Sequence, residues 1–292
     1  MTNAFLNDPL MPHLLDILSD PASEGLILGG GFGIRLKQLE LARTGVPTLI
    51  SDIPPARATQ DLDFLLRLEM FTQKETSVAF RALLERLGYK VAVENYIFKK
   101  PFDLDRVAAD DPKVKVDLLA RKPAPGEGVK SDERRVGKHS DMPLHGRTTP
   151  EAFAVDELPK FLPITGRTTD GETAQTGVFV PHPYASLNMK IMAAFDWLRY
   201  IRGELTDKER SEKHAFDVYI LTAMLTEQEI GEASSLAEKY ALHPLAQANK
   251  EHIAELYGSP DAQGFLVVRR LADGIALDYD LFREVLWNIF GA

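Results

Sequence analysis

Two aspartates one residue apart, Asp61 and Asp63, lie in the run Asp61-Leu62-Asp63-Phe64, and a third, Asp117, lies in Val116-Asp117-Leu118-Leu119. In an extended strand alternate side chains share a face, so Asp61 and Asp63 point one way and Leu62 and Phe64 point into a core. The same alternation separates Asp117 from Val114, Val116 and Leu118. Carboxylates held this close repel one another, and a hard divalent cation such as Mg²⁺ relieves the conflict. If the two strands are neighbours, the three carboxylates can hold two ions ~4 Å apart, clamping the attacking and leaving oxygens of an in-line phosphoryl displacement. Upstream lies Gly29-Gly30-Gly31-Phe32-Gly33. Glycines at a helix start let backbone N–H groups come close to phosphate, and the helix dipole favours the anion there. A dinucleotide fingerprint is discounted because Ile34 stands where a small residue is required.

The elements that must position these residues follow from periodicity. The apolar run Gly25–Leu28 predicts a strand entering the glycine-rich turn, and Ile34–Arg43 predicts a helix with Leu36, Leu39 and Leu41 as apolar positions. Asp61–Leu66, Lys90–Phe98 and Lys113–Leu119 read as strands. Gln73–Gly88 reads as a helix whose apolar side is Val78, Leu83, Leu84 and Leu87, ended by Gly88. Thr44–Ala58, with its three prolines, is expected to be a loop or inserted segment. Arg121–Pro150 is rich in Pro, Gly and charge and is expected to be a long exposed loop or small irregular subdomain. Thr176–Val180 is a last candidate strand, and from Pro183 onward the pattern is helical. The expected fold class is α+β. A mixed sheet with flanking helices is expected over residues 1–175, followed by a helical domain over 176–292 that adds the other wall of a cleft.

Bulk properties narrow the classes of function. The 292 residues are 45% hydrophobic and 26% charged, enough to build a full core. A formal net charge of −9 argues against a chain coated all over with positive charge for nucleic acid, while leaving room for a local basic groove. With no cysteine, thiolate metal sites and cysteine nucleophiles are excluded. The first twenty residues lack the basic start and continuous apolar run of a signal peptide. No stretch has the length to cross a bilayer. The expectation is a cytoplasmic protein without a membrane partner.

A Gly-Gly pair, then Asp-x-Asp, then a third aspartate in an apolar strand resembles the signature of the nucleotidyltransferase superfamily related to DNA polymerase β. The form Arg57-Ala58-Thr59-Gln60-Asp61-Leu62-Asp63-Phe64 resembles the AbiEii-type toxin branch. Ala185-Ser186-Leu187-Asn188-Met189-Lys190 and Lys213-His214-Ala215-Phe216-Asp217-Val218-Tyr219 are similar to that branch's helical Lys and Asp motifs. The resemblance covers islands between about residues 27 and 221. It implies a Mg²⁺-dependent enzyme that moves a nucleotide from a nucleoside triphosphate (NTP) to an acceptor hydroxyl. Asp61, Asp63 and Asp117 would bind metal, with Lys190 and Asp217 completing the catalytic set. Gly29, Gly30, Gly31, Arg57, Thr59 and Lys190 would bind the nucleotide. It also implies a tRNA or protein acceptor, a cognate antitoxin, and a place in toxin–antitoxin or phage defence. Two departures stand out. Gly31 occupies the position where the family carries a Ser or Thr hydroxyl after Gly-Gly, and the Pro-rich stretch lengthens the distance from Gly30 to Asp61.

Other readings of the same residues stay open at this stage. Transfer to a small hydroxyl compound, as in antibiotic-modifying enzymes, suits the acidic composition. A non-catalytic nucleotide-binding protein of the same fold suits the absent hydroxyl at Gly31. Lys190 lies along the Leu187, Ile191, Ala194, Leu198 stripe and could simply snorkel past a core. Lys213 and Asp217 stand i, i+4 and could form a local helix pair. Lys130, Arg134, Arg135, Lys138 and Arg147 could grip RNA phosphates, although Asp132, Glu133 and Asp141 are interleaved among them. No histidine has the spacing of a zinc site.

Overall fold

A computed structural model describes residues 8–57, 59, 61–101, 113–137, 142–198 and 208–291. The chain divides into two compact units, Met1–Leu39 with Arg57–Pro181, and Glu40–Ala56 with His182–Ala292.

The first unit is built on a mixed sheet. Its strands are β1 (Ile27–Leu28), β2 (Asp61–Leu65), β3 (Lys90–Val93), β4 (Ile97–Pro101), β5 (Lys113–Ala120), β6 (Arg135–Val136), β7 (Gly146–Thr148), β8 (Lys160–Arg167) and β9 (Thr173–Val180). The order across the sheet is β3-β4-β5-β2-β1-β9-β8, and β7 extends β5 beyond the end of β4 while pairing with β6. Strands β2 and β5 run parallel, with Leu62 level with Val116 and Phe64 level with Leu118. Those four side chains are fully buried in one apolar core with Val114, Phe98, Leu28 and Val180. Helix α1 (Met11–Leu18), the start of α2 (Gly30–Thr44) and α3 (Lys74–Arg86) supply the rest of this core through Leu14, Phe32, Phe80 and Leu84. Because side chains alternate, the opposite sheet face carries Asp61, Asp63, Lys115 and Asp117.

Several expectations are corrected. On α3 the buried positions are Ser77, Phe80, Leu83 and Leu84, whereas Val78 is exposed. The segment 121–150 is not simply an exposed loop: it adds β6 and β7 to the sheet and buries Val136, Leu144 and Gly146. Strand β8 does not follow from the sequence because Pro163 and Gly166 interrupt it. It lies at the sheet edge, where proline is tolerated, and Leu162 and Ile164 still alternate inward. The sequence-based division at 175/176 falls inside β9. Lys138, His139 and Asp141 lie outside the described residues, as do residues 199–207 of the expected helical region.

The second unit is helical: α4 (Pro183–Leu198), α5 (Lys208–Ala223), α6 (Glu227–Lys239), α7 (Pro244–Tyr257), α8 (Gln263–Leu271) and α9 (Tyr279–Phe290). Tyr219, Tyr257, Phe265 and Phe282 are buried together, with ring centroids of Tyr219 and Phe282 5.1 Å apart. The Pro-rich stretch joins this unit. Leu49 N donates to Leu225 O at 2.7 Å and Ile50 N to Ala223 O at 3.2 Å. Among the described residues, no helix is long and apolar enough to cross a membrane.

On the helix-covered side of the first unit, His13 packs beside Lys100, whose ammonium lies 4.9 Å from the Tyr89 ring and 3.9 Å from Asp16. Burial, helped by the Lys100 charge and opposed by Asp16, pushes His13 down to about 4 from its ordinary 6.5. Below pH 6.5 the unfolded chain binds a proton that folded His13 refuses, so stability falls as the pH drops from about 6.5 to about 4. The contribution lost across that window is up to ~3 kcal/mol. Denaturant unfolding of the wild type at pH 7 and pH 5 should show the loss, and His13→Leu should flatten it. An equal pH dependence in the variant would assign the effect elsewhere.

Candidate active site

Parallel pairing of β2 with β5 sets Asp63 level with Asp117 and Asp61 level with Lys115. Parallel neighbours in register point to the same face, so Asp61, Asp63 and Asp117 share one side of the sheet. Asp117 is 2% exposed, Asp63 is half-buried, and the Asp61 side chain is 39% exposed. The three differ in desolvation, and desolvation raises a carboxyl pKa.

The face is not bare of positive charge. Lys115 Nζ lies 3.1 Å from Asp61 Oδ2, which accepts its hydrogen bond, and 3.5 Å from Asp117 Oδ2. Arg147, carried by β7, lies 3.2 Å from the same Asp117 oxygen. The other oxygen, Asp117 Oδ1, is buried without a hydrogen-bond partner. Burial pushes the Asp117 carboxyl above its ordinary value, a shift opposed by Arg147 and Lys115 and reinforced by Asp61. Burial works against charge on Lys115, but Asp117, Asp61 and Asp63 outweigh it and hold the ammonium above its ordinary range.

Sequence reasoning missed Lys115 and placed Arg147 elsewhere. The signal for Lys115 was available: it shares strand parity with Asp117. Arg147 was assigned to a basic loop, and only the pairing of β7 with β5 brings it to the carboxylates. Among the described residues no group of three or more acidic or histidine side chains is arranged to hold a metal ion as it stands. The ammonium of Lys115 bridges Asp61 and Asp117. The donor set still suits a hard divalent cation: carboxylate oxygens on adjacent strands, one of them buried and without a hydrogen bond.

The glycine-rich segment closes one side of this face. Helix α2 begins at Gly30, so the expected turn is the first turn of the helix itself. Gly29 N donates to Asp63 O at 2.8 Å, tying the helix start to β2. Gly30 has φ +62°, and a Cβ there would fall 1.9 Å from Asp63 Oδ2. Only glycine lets the helix start come this near the carboxylate. Gly33 is as constrained, since its Cβ would fall 2.4 Å from Leu28 O. Gly31 has room: a Cβ would meet Thr59 Cβ at 3.5 Å, an ordinary contact. The Thr59 side chain therefore flanks the position that lacks a hydroxyl, and its Oγ1 accepts from Asp61 N at 3.3 Å. Arg57 is the residue at which the chain re-enters the first unit.

Lys190 and Asp217 belong to the second unit. Lys190 Nζ donates to Asp217 Oδ2 at 2.7 Å, joining α4 to α5, and both side chains are largely buried. Asn249 Nδ2 donates to Asn188 Oδ1 at 2.8 Å, and Asn188 Nδ2 donates to Tyr184 O at 2.8 Å, fixing α4 against α7 close to Lys190.

No family model matches the chain. No curated protein matches it. Among solved structures it is similar to a solution structure of the antibiotic-resistance factor ANT(2'')-Ia, at 16% identity and a TM-score of 0.32, over 81% of this chain and 100% of that one. A likeness this slight carries no argument about fold or activity.

The two neighbouring glycines should respond oppositely to substitution. Gly30→Ala should cost at least ~2 kcal/mol, from the left-handed backbone and the collision with Asp63. Gly31→Ala, in a helix with room, should be neutral or stabilising by ~0.5 kcal/mol. Urea unfolding of the two variants checks this, and equal effects would mean that Gly30 does not pack on Asp63 as described.

Proposed function

We propose that the protein is a nucleotidyltransferase that moves a nucleoside monophosphate from an NTP to an acceptor hydroxyl. The observation that supports this reading most is the level pairing of Asp63 with Asp117, beside Asp61 and against the glycine start of α2. Asp61, Asp63 and Asp117 would hold Mg²⁺, which when bound supplies charge neutralisation on the transferring phosphoryl group and the departing pyrophosphate.

The chain's own groups divide the remaining tasks. The first N–H groups of α2 have no partners within the helix, and they bind phosphate oxygens at Gly30 and Gly31. Thr59 Oγ1, beside Gly31, offers a hydroxyl from β2's side of the site, and Arg57 stays a nucleotide contact on motif resemblance alone. Asp117, whose proton affinity burial raises, favours deprotonation of the acceptor hydroxyl. Lys190 and Asp217 stay in the proposal on motif resemblance alone, the lysine as a contact for the triphosphate. So do a tRNA or protein acceptor and a paired antitoxin.

Incubation with each α-labelled NTP, Mg²⁺ and total tRNA should transfer label to an acceptor. Asp63→Ala should lower that transfer by at least about a hundredfold with an unchanged far-UV spectrum and a cooperative unfolding transition. Full activity in a folded Asp63→Ala variant would overturn the mechanism. Retained NTP binding with no turnover on RNA, protein or small hydroxyl acceptors would favour a non-catalytic nucleotide-binding role.

A further inference from the structure

We propose that Lys115 is a resident counter-ion of the acidic face, and that a divalent metal must displace its ammonium to bind. This rests on the metal-binding reading above and goes beyond it by assigning a role to a residue outside the expected site. Lys115 touches both strands' carboxylates, Asp61 at 3.1 Å and Asp117 at 3.5 Å. It therefore stands where a cation shared by those two groups would stand.

The surroundings leave the ammonium little reason to be there except those carboxylates. Lys115 is level with Lys99 on β4, and Lys99 is level with Lys90 on β3. Like charges directly opposite one another on a sheet are unfavourable, and Lys90 and Lys99 are exposed. The row Lys90, Lys99, Lys115, Asp61 thus runs from positive to negative, with Lys115 turned to its acidic end. Arg147 already covers Asp117 Oδ2 from the other side. The oxygen left over, Asp117 Oδ1, is buried, lacks a hydrogen-bond partner and belongs to a side chain only 3% exposed. That is a poor arrangement for an ion-paired carboxylate in its final state and a serviceable one for a ligand awaiting a cation.

The ammonium and a metal ion cannot share this space. A unit positive charge within ~4 Å of a metal position, in surroundings drier than bulk water, weakens metal affinity by well over an order of magnitude. Removing the charge while keeping the side chain's bulk should strengthen binding. Arginine, which keeps the charge, should not.

Mn²⁺ binding to the full chain, read from the electron paramagnetic resonance signal of free Mn²⁺, tests this. Lys115→Met and Lys115→Gln should each bind Mn²⁺ at least about tenfold more tightly than the wild type, and Lys115→Arg should stay near it. Without metal, Lys115→Met should melt below the wild type, and Mn²⁺ should raise its melting temperature by more than it raises the wild type's. Equal or weaker Mn²⁺ binding in Met and Gln variants, with binding still lost in Asp63→Ala, would overturn the role of Lys115 and leave the metal site standing. Absence of Mn²⁺ binding in wild type and variants alike, at millimolar metal, would overturn both.

Discussion

Register between two parallel strands sets the character of the first unit. Leu62, Phe64, Val116 and Leu118 must all face one core. A one-residue slip of β2 would drive Asp61 and Asp63 into it, and a slip of β5 would drive in Lys115 and Asp117. The apolar side thereby dictates the polar side, and Asp63 arrives level with Asp117. Carboxylates so placed cost free energy unless cations or donors face them. Other features of the unit answer that demand. Lys115 comes from the same strand as Asp117, Arg147 is delivered by a short strand at the end of β5, and α2 begins with the residue type that tolerates Asp63 at van der Waals range.

This explains how much of the site could be read from sequence. Alternation within a strand is a local property, so the shared face of Asp61 and Asp63 and the separation of Asp117 from its valines were legible. Lys115 was legible by the same rule, but its contact with Asp61 depends on the register between β2 and β5, which no local pattern states. Arg147 was hidden by composition, because residues 121–150 carry the prolines, glycines and charges of a loop while contributing two short strands. Strand β8 was hidden for a related reason. An edge position forgives Pro163, and the Phe161 ring lies over Gly177 on the neighbouring strand, filling the space that a glycine leaves. The tract between residues 45 and 56 reads as a loop and has no regular structure, but its backbone bonds to residues 223 and 225 make it part of the helical unit.

The second unit obeys the same electrostatic rule with a different outcome. The spacing of Lys213 and Asp217 suggests a local pair, whereas Asp217 Oδ2 receives Lys190 from another helix at 2.7 Å. The helix that carries Lys190 is held by Asn188 and Asn249, buried side chains whose amide groups bond to each other and to the α4 backbone.

Asp117 and Asp217 are equally buried, at 2% exposure each, yet they are satisfied differently. A buried carboxylate that takes a short ammonium hydrogen bond from a neighbouring helix, as Asp217 does, can be explained as an interhelical tie whose desolvation the pair's attraction and hydrogen bond offset. Asp117 has two cations crowded on one oxygen and a second oxygen that makes no hydrogen bond. Folding alone gives no reason for that asymmetry, since a well-placed serine or backbone N–H would remove it. Two cations on one oxygen and an open buried acceptor at the other are the features on which the metal-binding proposal draws. For that reason the functional reading rests on the sheet face of the first unit rather than on the better-satisfied pair in the second.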